Sequence, residues 1–168
     1  MAQQLLGSVK NRHEHQLVAK AILTSLEGAV DDLVATTEPA VLPLRNIQHL
    51  LTPVRGRIAT EETSLMSLAR RLHPTPAMGG VPTDEAMVFL RRSEPVPRGW
   101  YAAPIGWIDA RGDGVFAVAI RSAVIQHDRA WLYAGAGIVG DSQPAHEWAE
   151  TALKFRPMLG ALGIEGAV

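Results

Sequence analysis

The 168-residue chain contains no cysteine, and its charges are balanced. Without cysteine it can form no disulfide framework, no thiolate metal site and no cysteine nucleophile. Sixteen Lys and Arg residues stand against 17 Asp and Glu residues, which gives a formal net charge of −1. Proteins that bind duplex nucleic acid normally carry a basic stripe. The balance therefore argues against a nucleic-acid partner.

Long apolar runs are also missing. No run approaches the roughly 18 residues that a membrane-spanning helix needs, and Met1–Gln4 lacks the charged-then-apolar order of a signal peptide. Hydrophobic residues nevertheless make up 47% of the chain, which is enough for a sizeable core in one domain of this length. We therefore expect a soluble, cytoplasmic protein without a membrane partner and with one domain over residues 1–168.

Apolar residues at three- to four-residue spacing predict four helices. They cover residues 8–33, 61–72, 83–92 and a segment that begins near Ser142. Ser8 is the expected N-cap of the first helix, and Pro74 ends the second. The last helix carries Trp148, Phe155, Leu159 and Leu162 on one side. We expect Pro157 to kink or interrupt it.

Runs of β-branched and other apolar residues predict strands. They cover residues 47–58, 104–109, 115–125 and 130–134, and a short extended piece is expected within 36–43. Pro53 predicts a bend or an edge in the first run, and Asp113-Gly114 predicts a hairpin between the second and third. Residues 73–82 form a stiff loop. The order of elements predicts an α+β fold with an antiparallel sheet and flanking helices.

Glu14 lies on the apolar stripe of the first helix, four residues before Val18. A buried carboxylate needs a partner or a cation, because an unpaired buried charge is costly. Two interpretations stay open. Glu14 is either a cation ligand, or it is exposed or paired with Arg12 or a neighbouring histidine.

Glu147, Glu150 and Lys154 share one face of the last helix. The two carboxylates could bind Mg²⁺ through hard oxygen ligands, with the lysine holding an anionic substrate. Alternatively, Glu150 and Lys154 form an ordinary i,i+4 pair on a solvated face. Spacing alone favours the ordinary pair.

Three further features could bind or act on an anion. Arg121 ends an apolar run and is either a solvated strand-end charge or a fork for a carboxylate. The Gly135–Gly137 turn can present backbone N–H groups as an anion nest. His73 precedes a proline-rich loop and is either catalytic or structural.

Other patterns predict no chemistry. The glycines match neither a P-loop nor a Rossmann fingerprint, and the histidines of His13-Glu14-His15 cannot face each other on a helix as a zinc motif requires. We expect Trp100, Tyr101 and Trp107 to be core aromatics.

Five segments in one order are more specific than any single residue. They are residues 8–18, 72–77, 120–122, 132–139 and 147–154. Together they closely resemble the C-terminal part of isochorismate synthases, which belong to the chorismate-utilising family with anthranilate, aminodeoxychorismate and salicylate synthases. The resemblance runs from about residue 5 to residue 162.

Local details favour one branch of this family. Anthranilate-type members carry a Thr-Gly-Ala-Pro-Lys segment after the His-Pro loop and an Ala-Arg-Asn-Asp segment on the preceding helix. Here the loop reads His73-Pro74-Thr75-Pro76-Ala77-Met78-Gly79-Gly80. The chain thus resembles the isochorismate branch, with salicylate synthase next. The menaquinone, siderophore and salicylate pathways all stay open.

The resemblance implies a role for each of the residues singled out above. Glu14 and Glu150, supported by Glu147, resemble the ligands of a Mg²⁺ that holds the ring carboxylate of chorismate. The enolpyruvyl carboxylate would be held by Arg121, Lys154 and the backbone of Gly135, Ala136 and Gly137. The ring would be lined by catalytic His73 and by the loop that contains Thr75 and Ala77.

The chain departs from the family in one decisive respect. Isochorismate formation adds water at C2 of chorismate and expels the C4 hydroxyl, which needs a lysine base and a glutamic acid. Family members carry both in an N-terminal half that this chain does not contain, and none of Lys10, Lys20 and Lys154 has the required context. The implied fold is about half of a two-sheet αββα sandwich.

We therefore expect the C-terminal portion of a Mg²⁺-dependent isochorismate synthase that is inactive alone. One alternative is a non-catalytic remnant that binds a chorismate-like dicarboxylate or a partner chain. Others are a fragment of a salicylate synthase and a dimer that rebuilds the missing half by swapping elements. Half a sandwich leaves an apolar face uncovered, which predicts self-association or pairing with the missing N-terminal half.

Overall fold

The structure is a computed structural model that describes residues 2–43 and 48–164. Its helices are α1 (Ala2–Gly7), α2 (Val9–Leu26), α3 (Leu65–Leu72), α4 (Pro76–Gly79), α5 (Thr83–Ser93) and α6 (Pro144–Ala161). Its strands are β1 (Val30–Ala35), β2 (Ala40–Pro43), β3 (Gln48–Leu51), β4 (Val54–Ile58), β5 (Pro104–Ile108), β6 (Gly114–Val118), β7 (Ser122–Gln126) and β8 (Arg129–Tyr133). The α+β class is confirmed. None of the described helices has the length and apolarity to cross a membrane.

Helix α2 begins where the sequence predicts but ends early. The hydroxyl of Ser8 accepts a hydrogen bond from the backbone N–H of Asn11 at 3.3 Å, which confirms the N-cap. The helix ends at Leu26, and residues up to 33 are not helical, so the predicted C-terminal end is wrong. Gly28 adopts φ +74°, a left-handed conformation typical of helix ends. Val30 and Leu33 are three residues apart, which fits the apolar stripe of a helix. Val30 is also β-branched and fits a strand equally well, so the sequence pattern does not mark the end of the helix.

Every sheet of the described chain has two strands: β1 pairs with β4, β2 with β3, β5 with β6 and β7 with β8. Antiparallel pairing is thus present as separate ribbons rather than one continuous sheet. In β1 the pairing is irregular between Asp31 and Val34, where the carboxylate of Asp32 accepts a hydrogen bond from Arg57 at 2.8 Å. Pro53 separates β3 from β4, as predicted. The predicted start of that run, Ile47, lies outside the described residues.

The middle of the chain follows the predicted order with shifted boundaries. Helix α3 begins at Leu65 rather than at residue 61, because Ser64 and Ser67 form a reciprocal capping box there. The predicted loop of residues 73–82 contains the short helix α4. Helix α5 agrees with its prediction to within one residue.

The predicted hairpin between β5 and β6 is confirmed. The carboxylate of Asp109 accepts hydrogen bonds from the backbone N–H groups of Arg111 (2.9 Å) and Asp113 (3.0 Å), and Gly112 adopts φ +87° in the turn. The predicted strand 115–125 is divided into β6 and β7. Arg121 lies between them with φ +49°, a conformation that cannot continue a strand.

Helix α6 runs through Pro157, so the helix is not interrupted there. The alternative effect of Pro157, a kink, stays a prediction. Its buried side differs from the prediction. Glu147 is only 7% exposed, whereas Trp148 is 80% exposed. The expectation of Trp148 on the packed stripe is therefore wrong. Phe155 and Leu159, which were predicted on the same stripe, are half-buried.

The chain divides into two compact units. Unit 1 consists of residues 1–93 and 107–115, and unit 2 consists of residues 94–106 and 116–168. Unit 1 contains α1 to α5, with α4 packed against α2 and α5. Unit 2 contains β7, β8 and α6, with α6 packed against β8.

Very little of the described chain is buried. The buried apolar residues are Leu26, Ala29, Ala69 and Ala102, and no large side chain is fully buried. Trp100 and Trp107 are exposed, so their predicted place in the core is wrong, while Tyr101 is half-buried. The accessible surface is 12387 Å². A complete protein of 18.1 kDa exposes about 8,100 Å², and two separate domains of half that mass about 9,700 Å² in total.

Gly28 provides a test of the helix end. Replacing it by alanine leaves the surroundings unaffected, because nothing lies within 4 Å of an added Cβ, but it forces alanine into the left-handed region. We expect Gly28→Ala to lower the free energy of unfolding by about 1 kcal/mol. Urea titration followed by circular dichroism measures this value.

Gly7→Ala is the matched control in the same unit. This glycine also has free space around it and lies at the end of α1 without a positive φ. Its substitution should leave stability unchanged or slightly higher. Equal losses in both variants would contradict the assigned role of Gly28.

Candidate functional site

Lys154 connects two of the predicted site segments in unit 2. Its Nζ donates a hydrogen bond to the carbonyl oxygen of Gly135 at 2.9 Å and lies 2.6 Å from Oε1 of Glu150. The predicted i,i+4 pair is therefore formed. The lysine is mostly buried, with a side chain 22% exposed, and it holds a loop carbonyl as well as the carboxylate. Lys154 therefore makes one polar contact more than a lysine in an ordinary surface ion pair, and such a pair contributes about 0–1 kcal/mol to stability.

Glu147 lies one turn before Glu150, in the first turn of α6. The positive end of the helix dipole favours a carboxylate at this position. Its side chain lines a shallow cavity of about 340 Å³ together with Ala136, Ile138 and Trp148. Ala136 belongs to the predicted anion nest. The structure thus places Glu147 beside that segment.

The Gly135–Gly137 segment follows β8 and has two close neighbours at Gly135. The carbonyl oxygen of Gly135 accepts the hydrogen bond from Lys154. A Cβ at position 135 would lie 3.0 Å from the hydroxyl oxygen of Tyr101, which is tighter than ordinary contact. The close approach of Tyr101 therefore favours glycine at position 135.

Tyr101 stacks on Tyr133, with ring centroids 5.7 Å apart and an angle of 19° between the planes. Burial raises the pKa of the Tyr101 phenol, and the positive charges of Arg98 and Arg121 oppose this shift. Arg121 therefore lies close enough for its positive charge to act on the pKa of the Tyr101 phenol. Arg121 is half-buried, and no carboxylate of the described residues pairs with it. Both interpretations of Arg121, a solvated strand-end charge and a fork for a carboxylate, therefore stay predictions.

In unit 1, Glu14 is not in an exposed first turn, because its Oε1 atom is buried. Arg12, one suggested partner, instead forms an ion pair with Glu38 at 2.6 Å. Nε2 of His15 lies 2.7 Å from the hydroxyl of Thr52, which ties α2 to the β3–β4 connection. These contacts fix the rotation of α2 about its axis. Glu14 therefore faces the interior of unit 1.

His73 follows the last residue of α3 as its C-cap and is half-buried. Burial lowers the pKa of its imidazole, which favours the neutral form. Thr75 is half-buried and precedes α4, while Ala77 lies exposed within that helix. Because α4 packs against α2, this loop and the helix that carries Glu14 are neighbours in unit 1.

The predicted site residues are thus divided between the units. Unit 2 brings together Lys154, Glu150, Gly135 and Ala136, with Glu147 beside them; unit 1 contains Glu14, His73, Thr75 and Ala77. Within residues 2–43 and 48–164, no three His, Asp or Glu side chains form a group that could hold a metal ion. The Mg²⁺ ligands therefore stay a prediction.

Comparison with known proteins identifies the family. Residues 1–163 match the family described as chorismate binding enzymes. The chain belongs to this family. The predicted resemblance is confirmed, and the curated relatives bear the names of isochorismate synthases.

Two relatives show the extent of the match. The salicylate biosynthesis isochorismate synthase of Pseudomonas aeruginosa is 48% identical over 168 residues, which cover 100% of this chain and 35% of the relative. The isochorismate synthase MenF of Bacillus subtilis is 44% identical over 96% of this chain and 34% of its own length. The chain therefore spans about a third of these two relatives.

Solved structures agree with these matches. A Bacillus anthracis protein described as the 2,3-dihydroxybenzoate-specific isochorismate synthase DhbC superimposes with a TM-score of 0.94 and 41% identity, over 98% of this chain and 44% of that protein. The menaquinone-specific isochorismate synthase MenF of Escherichia coli gives 0.82 at 34% identity, over 94% of this chain and 36% of that protein. The prediction of a partial chorismate-binding fold is confirmed.

Sequence reasoning missed two contacts that shape the candidate site. Tyr101 was expected in the core, yet its hydroxyl lies against Gly135. The sequence suggests a neighbouring histidine as a partner of Glu14 and excludes a zinc motif, but it does not predict the contact of His15 with Thr52, 37 residues away. Both contacts join separate elements of a unit, so no local spacing could reveal them.

The lowered pKa of His73 predicts a pH-dependent stability. Below the ordinary pKa of about 6.5, the His73 imidazole binds a proton in the unfolded chain. In the folded chain its lowered pKa keeps it neutral to a lower pH. Stability should therefore fall as the pH drops through this value towards the lower folded pKa. His73→Asn should reduce the difference in unfolding free energy between pH 7.5 and pH 5.5, as measured by urea titration.

His146→Asn is the control, because His146 is exposed on α6. It should keep the full pH dependence. His15, whose pKa is lowered by burial in the same way, should keep part of the dependence in His73→Asn. An unchanged pH dependence in His73→Asn would contradict the assigned burial effect.

Proposed function

We propose that this chain is the carboxylate-binding and metal-binding portion of an isochorismate synthase, which converts chorismate to isochorismate in a Mg²⁺-dependent reaction. The observation that carries the proposal is the position of Lys154 between the Gly135 carbonyl and Glu150, on the helix that also carries buried Glu147. The names of the relatives supply the reaction. The whole activity requires the remainder of the fold.

Lys154 has the hydrogen-bonding capacity for a substrate carboxylate. An ammonium group donates three hydrogen bonds, and two of those of Lys154 are directed at Gly135 and Glu150. The third is available to an anion. The backbone N–H groups of the Gly135–Gly137 segment and the guanidinium of Arg121 would complete a clamp for the enolpyruvyl carboxylate.

The resemblance to isochorismate synthases makes Glu147 and Glu150 of unit 2, and Glu14 of unit 1, the proposed Mg²⁺ ligands, although within residues 2–43 and 48–164 no three such side chains are grouped. Carboxylate oxygens are the ligands that this hard cation prefers, and the buried positions of Glu147 and of Oε1 of Glu14 suit a bound cation. Such an ion supplies positive charge that neutralises the ring carboxylate of the substrate. Glu150 would exchange part of its interaction with Lys154 for the cation.

His73 would line the substrate ring together with Thr75 and Ala77. The lowered pKa of its imidazole keeps it neutral near pH 7, so it can donate one hydrogen bond and accept another. The addition of water at C2 and the loss of the C4 hydroxyl need a base and an acid. Lys10, Lys20 and Lys154 are the three lysines of the chain, and none is assigned as the base. We therefore expect the chain alone not to turn over chorismate.

A second candidate function is a non-catalytic remnant that binds a chorismate-like dicarboxylate or a partner chain. The cationic residues Lys154 and Arg121 would still serve such binding. Cytoplasmic location, and the choice among the menaquinone, siderophore and salicylate pathways, stay predictions of the sequence.

A chorismate-consumption assay with Mg²⁺ distinguishes these functions. The chain is assayed alone and together with the amino-terminal part of the Pseudomonas aeruginosa relative. We expect turnover only in the mixture. In that mixture, Glu150→Ala should lower kcat by at least about 100-fold, because it removes a metal ligand and a partner of Lys154.

Asp141→Ala is the matched control, since this exposed carboxylate precedes α6 and belongs to no assigned site. It should retain the activity of the unmodified mixture. Turnover that survives Glu150→Ala would refute the Mg²⁺ assignment. An inactive mixture would favour the non-catalytic remnant.

A further inference from the structure

Tyr133 is the last residue of β8, and it lies at the same end of the β7–β8 pair as two parts of the proposed carboxylate clamp. In the antiparallel register it lies opposite Ser122, which directly follows Arg121. Along the chain, Gly135 follows Tyr133 by two residues. The side chain of Tyr133 therefore projects from a point close to both Arg121 and the Gly135–Gly137 segment.

The ring of Tyr133 orients the ring of Tyr101. The two rings stack with centroids 5.7 Å apart, within the range of about 4.5–7 Å that favourable aromatic pairs adopt. The backbone of Tyr101 is fixed separately, since its N–H donates a hydrogen bond to the carbonyl oxygen of Arg98 at 2.8 Å. In the described part of the chain its phenol hydroxyl makes no hydrogen bond. The direction of the Tyr101 side chain therefore depends on packing against Tyr133.

Tyr101 in turn limits the position of Gly135. A Cβ at this glycine would lie 3.0 Å from the phenol oxygen, so the phenol occupies the space beside it. The carbonyl oxygen of Gly135 accepts the hydrogen bond from Lys154 at 2.9 Å. A displaced phenol would let Gly135 move and would change the direction of the carbonyl that holds Lys154. The stacked pair thus acts on the clamp through a chain of direct contacts.

We infer that Tyr133 is a positioning residue of the carboxylate clamp, which holds the Tyr101 phenol against Gly135 and so keeps Lys154 and the Gly135–Gly137 segment ready for an anion. In this role Tyr133 acts through Tyr101 and does not contact the substrate. The identity of the anion, a carboxylate of chorismate, rests on the proposed function. Stacking requires a flat ring at position 133 but no hydroxyl, so phenylalanine should replace this tyrosine and leucine should not.

Titration of the Tyr101 phenol tests the first contact in the chain alone. Tyr101 and Tyr133 are the two tyrosines of the sequence, so Tyr133→Phe and Tyr133→Leu each leave one phenol for carbon-13 NMR to follow. Burial raises the pKa of Tyr101 above its ordinary value of about 10. We expect the pKa to stay raised in Tyr133→Phe, which keeps one ring face covered. In Tyr133→Leu it should fall towards the ordinary value, because the ring is released to water.

Trp131→Leu, made in the Tyr133→Phe background, is the matched control. Trp131 is also an aromatic residue of β8 and projects from the same face as position 133, two residues earlier. Its loss should leave the pKa of Tyr101 raised. An equal fall in this control would show that any loss of an aromatic side chain loosens β8, which would contradict a specific role for the stacked pair.

Steady-state kinetics separate positioning from folding. The chain is mixed with the amino-terminal part of the Pseudomonas aeruginosa relative and assayed with chorismate and Mg²⁺. A weakened clamp loses the same binding energy in the ground state and in the transition state. Tyr133→Leu should therefore raise KM for chorismate at least about tenfold and change kcat less than about threefold, while Tyr133→Phe keeps both values. A variant that only folds less well would lower kcat by reducing the active fraction and would leave KM unchanged.

Three results would overturn the inference. An unchanged Tyr101 pKa in Tyr133→Leu would show that the stacked pair does not hold the phenol. An unchanged KM in that variant would show that the position of the phenol does not affect the clamp. An equal rise of KM in Tyr133→Phe would assign the effect to the hydroxyl instead of the ring. If the unmodified mixture does not turn over chorismate, the proposed function fails and the clamp with it, whereas the titration still decides whether Tyr133 holds Tyr101.

Discussion

Burial of apolar surface is the constraint on which the rest of this structure depends. Hydrophobic burial is the dominant favourable term in folding, yet the described residues bury only four apolar side chains and expose three of the four tryptophans at more than half of their surface. The accessible surface exceeds the value for two separate domains of half this mass by about 2,700 Å². This excess has a consistent explanation in the comparisons, because the chain spans about a third to two fifths of its relatives.

Within this sparse framework, polar contacts fix the segments that carry the candidate site. In unit 2, Lys154 ties α6 to the Gly135 carbonyl, and the hydroxyl of Tyr101 lies close to the same glycine. In unit 1, the contact of His15 with Thr52 anchors α2, on which Glu14 lies. Each unit therefore positions its own share of the acidic and basic groups.

The sequence predicts local features of the fold more accurately than it predicts how the elements pack. The Ser8 cap, the break at Pro53 and the β5–β6 hairpin depend on neighbouring residues, so their signals are complete in the sequence. The end of α2 was misplaced because Val30 and Leu33 satisfy two periodicities. The exposure of Trp148 could not be predicted, since hydrophobicity indicates that a side chain prefers burial but not whether its partner is present. Similarly, spacing predicts the Glu150–Lys154 pair but not the hydrogen bond to Gly135, which depends on how α6 packs beside β8.

We propose that the exposed apolar surface is covered by the rest of the chorismate-binding fold, since the chain spans about a third to two fifths of its relatives. Isothermal titration calorimetry of the chain with the amino-terminal part of the Pseudomonas aeruginosa relative, at several temperatures, tests it most directly. Burial of apolar surface makes the heat-capacity change of binding negative. Covering the excess of about 2,700 Å², together with a matching area on the partner, predicts a change on the order of −1 kcal/mol/K. A heat-capacity change near zero, or no binding heat at any temperature, would contradict the account.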